Sequence, residues 1–218
     1  MRERLSADFW TLLSSLEKEL SQGAKTLLSE AEALQQAESA LQILAALSGL
    51  AQENMNRVAG WRFLEMGRRS ERGINTCRLA RTLAHDSATI DDLDMLLDLN
   101  DSQITYRARY LVGLALTPVR DMVMLDPFNT RSVAFQVNAL NEHISVLPSL
   151  QEDGMMEEPD RIIRKLATEV ETEDAAHLDV QKMLAFERAL MRLSGAIADR
   201  FFLQGANAVP TVKLAGLA

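Results

Sequence analysis

One glycine-rich stretch, "GWRFLEMGRRSERGINTCRLAR", residues 60–81, decides the fold. When the chain turns by about 100° per residue, large apolar groups such as Trp61 and Phe63 fall on opposite sides of a helix. A helix of this kind is surrounded by neighbouring helices rather than lying on the surface. Each glycine costs roughly 0.5–1 kcal/mol against alanine inside a helix. We therefore expect the three glycines to let neighbouring helices come close: Gly60, Gly67 and Gly73.

Charged residues on the same helix are spaced so that they can pair along it. Glu65 and Arg69 are four residues apart, and Arg68 and Glu71 are three apart; side chains at these spacings meet on a helix. Because an unpaired buried charge is costly, we expect a shared polar layer. Two interpretations remain. Either the charges satisfy one another and fix the helix register, or the excess of arginine binds an anionic ligand.

Two further segments offer groups that favour negative charge. "TYRARY" places Tyr106, Arg107 and Arg109 on a predicted helix. The segment after "LDP" places Asn129 and Arg131 at a predicted helix N-terminus, where free backbone N–H groups attract anions. Together with the arginines of residues 60–81, these groups form a candidate anion site.

Helical periodicity and capping signals predict an all-α fold, and no useful length alternates with period two. We expect a multi-helix bundle, mostly antiparallel, of about seven to eight helices. Residues 1–204 are predicted to form a single domain, with an acidic segment at 151–158 as the best candidate for a mobile connection and a loosely packed tail at 205–218. The first four expected helices are one ending near Gly23, one or two over 24–54, one to about His85, and one with Ser87 and Thr89 as cap candidates that ends near Leu99. The others are one over 102–116, one opened by Thr117 and Pro118, one capped by Asn129 or Thr130 and ending at Pro148, one over 159–173 and one over 175–204.

Composition excludes several classes of protein. A formal charge of −8 on 218 residues argues against a general nucleic-acid binder. No stretch approaches the ~18 apolar residues of a membrane span, so a cytoplasmic location is expected. Cys77, the single cysteine, cannot build a disulfide framework and is expected to be a small buried hydrophobe.

Other motifs carry little chemistry. Asp174 and His177 have the spacing of a carboxylate–histidine metal pair, but a di-iron bundle needs two such motifs and two more carboxylates. We therefore expect no metal and no cofactor. Phosphate-binding loops and nucleophile or zinc-protease motifs are also missing from the sequence.

Three ordered blocks of the sequence resemble the alpha-E family of bacterial helical proteins. They are "QENMNRVAGWRFLEMGRRSER", "LLDLNDSQITYRARY" and "PVRDMVMLDPFNTRSVAFQVNALNEHISVLP", and with "RERLSADFW" they cover most of residues 2–148. The resemblance implies an all-helical protein encoded with, or fused to, a circularly permuted ATP-grasp protein in a peptide synthesis, tagging or modification pathway. It also implies that the chain is a C-terminal portion of a longer or fused protein.

Our first hypothesis is an accessory or scaffold module that docks on an ATP-grasp ligase and has no recognised catalytic activity of its own. It would hold an anionic group of the ligase's substrate, such as a carboxylate, through Arg68, Arg72, Arg107, Arg109 or Arg131. Two alternatives stay open: an enzyme that uses Glu53 or Glu71 as acid/base with arginines orienting the substrate, or a purely structural interaction protein. A homo-oligomer is compatible with each of these. Matched residue by residue, the candidate site residues are Glu53, Arg57, Trp61, Arg68, Glu71, Arg72, Tyr106, Arg107, Arg109, Asn129, Arg131 and Gln136.

Overall fold

The computed structural model of the chain describes residues 6–23, 28–111, 113–149 and 155–203. Within these ranges every regular element is helical and no strand occurs, which confirms the all-α prediction. The described residues form nine α-helices, where about seven to eight were expected, and two π-helical segments. The elements are α1 (Ala7–Gly23), α2 (Glu30–Asn54), α3 (Ala59–Leu83), α4 (Ile90–Leu99), α5 (Gln103–Arg109), α6 (Leu116–Arg120), π1 (Asp121–Leu125), α7 (Val133–Ser145), α8 (Glu158–Glu171), α9 (Val180–Ala198) and π2 (Asp199–Leu203).

The described residues fall into two compact units, 6–62 and 63–203, and the division lies inside α3. In the first unit, α1 packs on α2 around a small core of Leu16, Ala40 and Leu47. In the second unit, α7 packs on α8 and α8 on α9 around a much larger apolar core. The single domain over residues 1–204 stays a prediction, and the predicted tail of 205–218 lies outside the described residues.

Capping side chains fix several of the helix starts. Thr89 caps α4 through a reciprocal pair of hydrogen bonds with Asp92, as its sequence position predicted. The cap of α7 is Ser132, whose Oγ accepts from the Phe135 N–H at 3.0 Å. The prediction of Asn129 or Thr130 as this cap is wrong, because the Asn129 side chain is used for tertiary hydrogen bonds described below.

The helix predicted over residues 102–116 is also wrong in its length, because α5 already ends at Arg109. Gly113 is a poor helix former, and its carbonyl oxygen accepts a hydrogen bond from the Tyr106 hydroxyl at 3.4 Å. Helix α6 then begins at Leu116 with Ala115 in the capping position, two residues earlier than the predicted Thr117 cap would allow. The Gly113 carbonyl therefore lies beside the buried Tyr106 side chain.

Gly73 lets two helices approach α3, as expected. A Cβ atom on Gly73 would lie 2.9 Å from Leu190 Cδ1 of α9 and 3.6 Å from Gln136 Cβ of α7. By contrast, a Cβ atom on Gly67 would meet nothing within 4 Å, so the prediction of close approach there is wrong. For Gly60 it stays a prediction.

We expect Gly73→Ala to lower the free energy of unfolding by about 1–2 kcal/mol, because the clash with a fully buried leucine outweighs the gain in helix propensity. The matched variant Gly67→Ala meets open space in the same helix, so it is expected to raise the same quantity by about 0.5–1 kcal/mol. Urea unfolding followed by circular dichroism compares the two. Equal effects at both positions would contradict the packing assigned to Gly73.

Candidate functional site

Four guanidiniums of the second unit lie close enough to influence one another, and we call Arg68, Arg69, Arg72 and Arg131 the arginine cluster. Two of them contact the buried Glu65 side chain. Glu65 is 2% exposed. Its carboxylate lies 2.9 Å from Arg68 Nη2 and 3.3 Å from Arg69 Nη2. These partners are three and four residues further along α3, so one turn of helix brings them to the same carboxylate.

The first turn of α7 holds Arg69 in place. Gln136 is fully buried; its Nε2 donates to the Thr130 carbonyl at 2.8 Å, which leaves its Oε1 to accept from Arg69 Nη1 at 3.3 Å. The Arg69 guanidinium also lies over the Phe135 ring, 5.3 Å from its centre. The Nε atom of Arg69 is buried without an acceptor among the described residues. The cluster is therefore rigidly placed but not fully satisfied.

Arg72 is the residue of the cluster with the fewest protein partners. Its side chain is half-buried, and within the described part of the chain no acceptor or carboxylate lies in bonding range. Burial lowers the pKa of Arg72, and the nearby guanidiniums of Arg131, Arg69 and Arg68 lower it further against the opposing effect of Glu65. Three positive charges and one negative charge thus act on this guanidinium, which favours an added anion.

The segment between π1 and α7 positions Arg131. Asn129 is buried, and its Nδ2 donates to the Met122 carbonyl at 2.9 Å and to Ser102 Oγ at 3.1 Å. Its Oδ1 accepts from the Arg131 backbone N–H at 3.1 Å, and Arg131 Nη2 lies 3.1 Å from the exposed Asp101 carboxylate. Asn129 therefore acts as a brace for the segment rather than as a surface group that could touch a ligand.

The predicted tyrosine and arginine residues of α5 form a second, separate group. Arg109 Nη1 lies 2.7 Å from Asp126, whose carboxylate is almost fully buried, so this guanidinium is already paired. Tyr106 is buried and its ring packs against Tyr110 at 4.8 Å. Arg107 is exposed at the rim of a cavity of about 160 Å³ beside these rings.

Burial and the adjacent Asp121 carboxylate raise the pKa of Tyr110, whose hydroxyl donates to Asp121 Oδ2 at 3.1 Å. Its phenol therefore stays protonated at neutral pH and acts as a hydrogen-bond donor. The Arg109 guanidinium of this α5 group is neutralised by its ion pair with Asp126.

Three of the predicted site residues lie in the first unit. Glu53 is exposed near the end of α2. Arg57 donates from Nη1 to Gln52 Oε1 at 3.0 Å and lies over the Trp61 ring at 4.3 Å. These contacts are local to the first unit and account for the spacing of Arg57 and Trp61.

Glu71 does not join the arginine cluster. It is exposed on α3, and in the described ranges it has no ion pair. Its predicted pairing with Arg68 is wrong, because Arg68 pairs with Glu65 on the preceding turn. Glu65 and Arg69 were predicted to pair and do, but neither was among the carried-over site residues. Their four-residue spacing was the signal that could have placed them there.

Other candidate chemistry is weak among the described residues. No helix in these ranges is both long enough and apolar enough to cross a membrane. The same residues contain no group of three or more His, Cys, Asp or Glu side chains that could hold a metal ion. Asp174 and His177 are exposed and 3.6 Å apart. Cys77 is fully buried, and burial raises the pKa of its thiol, so it behaves as the expected hydrophobe.

The fold and the arginine cluster define an all-helical protein with a half-buried cationic site. The chain belongs to the Alpha-E family, described as a predicted alpha-helical domain with a conserved ER motif, whose model matches residues 1–202. Within the described residues the chain contains Glu-Arg pairs at 71–72, whose arginine belongs to the cluster, and at 187–188 on α9. Glu187 joins α9 to α3, because its carboxylate accepts hydrogen bonds from Arg78 Nε at 2.8 Å and from Arg81 Nη2 at 3.0 Å.

Relatives of this chain occur in mycobacteria. It is 28% identical over 208 residues to uncharacterized protein Rv2567 of Mycobacterium tuberculosis, and equally to uncharacterized protein Mb2597 of Mycobacterium bovis. The matches cover 88% of this chain but 23% of each relative, so the chain spans about a quarter of their length. No solved structure matches it significantly.

Proposed function

We propose that this domain is an accessory module that holds an anionic group, a carboxylate or a phosphate, at the arginine cluster. The observation that carries the proposal is Arg72, a half-buried guanidinium with no acceptor in the described residues and with three other guanidiniums acting on it. An isolated network that served only to fix helix register would pair each of its charges. The unused donors of Arg72 favour ligand binding over that interpretation.

An anion would bind here without breaking existing protein contacts. Arg69 and Arg68 already share Glu65, and Arg131 is paired with the exposed Asp101, so the net local charge stays positive. Arginine presents a planar fork that matches carboxylate and phosphate oxygens. Because the cluster is partly withdrawn from water, each charge-assisted hydrogen bond made there is stronger than one on an open surface.

The partner we propose is a circularly permuted ATP-grasp ligase of a peptide synthesis or modification system in the cytoplasm. Membership of the Alpha-E family supports this proposal, and so does the greater length of the relatives, which leaves room for further domains in one chain. The bound anion would be a carboxylate or phosphate of the ligase's substrate or product. Co-expression with the ATP-grasp protein encoded nearest to this gene and co-purification test the partnership, and failure of a well-folded chain to associate would count against it.

We expect Arg72→Gln to weaken binding of inorganic phosphate by about 10-fold to 100-fold, since one charge-assisted hydrogen bond contributes roughly 1.5–3 kcal/mol. Isothermal titration calorimetry of the full chain with phosphate and with acetate measures the change. The free energy of unfolding is expected to change by less than about 0.5 kcal/mol, because Arg72 has no protein partner to lose.

Arg107→Gln is the matched control, because Arg107 is exposed on α5 and outside the cluster. It should leave phosphate affinity unchanged. Equal losses in both variants would mean that binding follows overall charge rather than the cluster. No measurable binding of phosphate or acetate to the unmodified chain would remove the basis of the anion proposal.

A further inference from the structure

Helix α2 of the first unit carries an exposed apolar seam beside the face that packs on α1. Leu34, Ala37, Leu41 and Leu44 follow one another at spacings of three, four and three residues, and we call these four residues the α2 seam. The leucines are 62%, 66% and 50% exposed, and Ala37 is also exposed. Spacings that alternate between three and four place side chains along one line of a helix, in the pattern that packs against a single partner helix.

The seam is separate from the face that α2 uses within its own unit. Ala40 and Leu47 are buried against α1, while Leu41 points about 120° away from Leu47 at 100° per residue. A helix at the surface of a protein needs one apolar face to pack on its neighbours, whereas α2 has two apolar faces. Three large leucines on one exposed line are more than the scattered surface hydrophobes that soluble proteins carry singly.

The charge of the first two helices indicates which kind of partner helix would fit the α2 seam. Helices α1 and α2 together hold seven carboxylates and one ammonium group, Lys18, and α2 has no basic residue at all. Glu38, which is exposed, lies beside the seam, one turn from Leu34 and three residues before Leu41. A second copy of these two helices would set seven carboxylates against seven, with one lysine on each side, so self-association through the seam is opposed by repulsion. The carboxylates are Asp8, Glu17, Glu19, Glu30, Glu32, Glu38 and Glu53.

We infer that the α2 seam is a docking surface for one amphipathic helix of another protein, with leucine-type residues at alternating spacings of three and four and lysine or arginine beside them. The apolar line supplies the contact area, and the acidic surroundings select a basic partner over an acidic one. This interaction surface is independent of the arginine cluster and goes beyond the anion binding proposed above.

Two synthetic helical peptides of three heptads test the inference. Both carry leucine at the a and d positions, and they differ in having lysine or glutamate at e and g. Fluorescence anisotropy with the full chain should show binding of the lysine peptide and at least tenfold weaker binding of the glutamate peptide. Leu41→Gln should weaken the lysine peptide at least tenfold. Because Leu41 is exposed, this variant is expected to fold normally, as checked by circular dichroism.

Met191→Gln, which changes an exposed apolar residue of α9, is the matched control and should leave peptide binding unchanged. Equal binding of both peptides, or no effect of Leu41→Gln, would overturn the inference. A dimer detected by light scattering and abolished by Leu41→Gln would assign the seam to a second copy instead. Slow thiol labelling of Leu41→Cys in the free monomer would show that the chain itself covers the seam. Phosphate titration of the same samples tests the arginine cluster separately, so failure of one proposal is distinguishable from failure of the other.

Discussion

Glu65→Ala is expected to lower the free energy of unfolding by roughly 2–4 kcal/mol. Removing one partner of a buried ion pair is strongly destabilising. The expected loss is somewhat smaller here because both arginines keep some access to water. The loss arises from the charge imbalance that the variant leaves. Glu65 is the carboxylate between Arg68 and Arg69, and it also opposes the positive charges that act on Arg72. Without it, neighbouring guanidiniums repel one another in a partly buried site. Urea unfolding followed by circular dichroism measures the loss.

The matched control is Glu71→Ala, which removes an exposed acid from the same helix. That variant is expected to change stability by less than about 0.5 kcal/mol. A further readout distinguishes electrostatics from simple loss of packing. Added phosphate should raise the unfolding midpoint of Glu65→Ala more than that of the unmodified chain, because an anion replaces the missing carboxylate. Equal losses in Glu65→Ala and Glu71→Ala would contradict the central role assigned to Glu65.

Asn129→Ala is expected to have the second large effect, a loss of about 2–3 kcal/mol in the free energy of unfolding. The Asn129 amide donates to the buried Met122 carbonyl and its oxygen accepts from the Arg131 N–H, so alanine leaves both groups without their partners. The same change releases the backbone that positions the Arg131 guanidinium. We therefore also expect phosphate affinity to fall severalfold, although Asn129 itself does not reach the cluster surface.

Asn138→Ala on the exposed side of α7 is the control for Asn129→Ala, and it should leave both stability and phosphate affinity unchanged. Chemical denaturation and calorimetric titration of the two variants give the comparison. If Asn129→Ala unfolded at the same urea concentration as the unmodified chain, the bracing role of its side chain would be wrong.

Part of the candidate site follows from spacing along one helix. Glu65 and Arg69 meet because they are four residues apart on α3, and this pair needs no knowledge of the rest of the fold. The same reasoning also offered Arg68 with Glu71, which does not form. Both pairings are local and similar in energy, so the choice between them depends on which acid the surrounding helices bury. Gln136 of α7 accepts a hydrogen bond from Arg69 of α3, so α7 lies on the side of α3 that carries Glu65.

The amino-acid sequence by itself determined the all-α fold and the ends of α1 and α4, and it narrowed the cap of α4 to two candidates that included Thr89, since periodicity and capping act over a few residues. Tertiary structure alone decided which glycine admits neighbouring helices, which acid joins the arginines and why Asn129 braces the segment before α7 rather than capping it. Each of those outcomes depends on groups from separate elements. Gln136, for example, lies 67 residues beyond Arg69, and their contact exists only because packing brings α3 and α7 together.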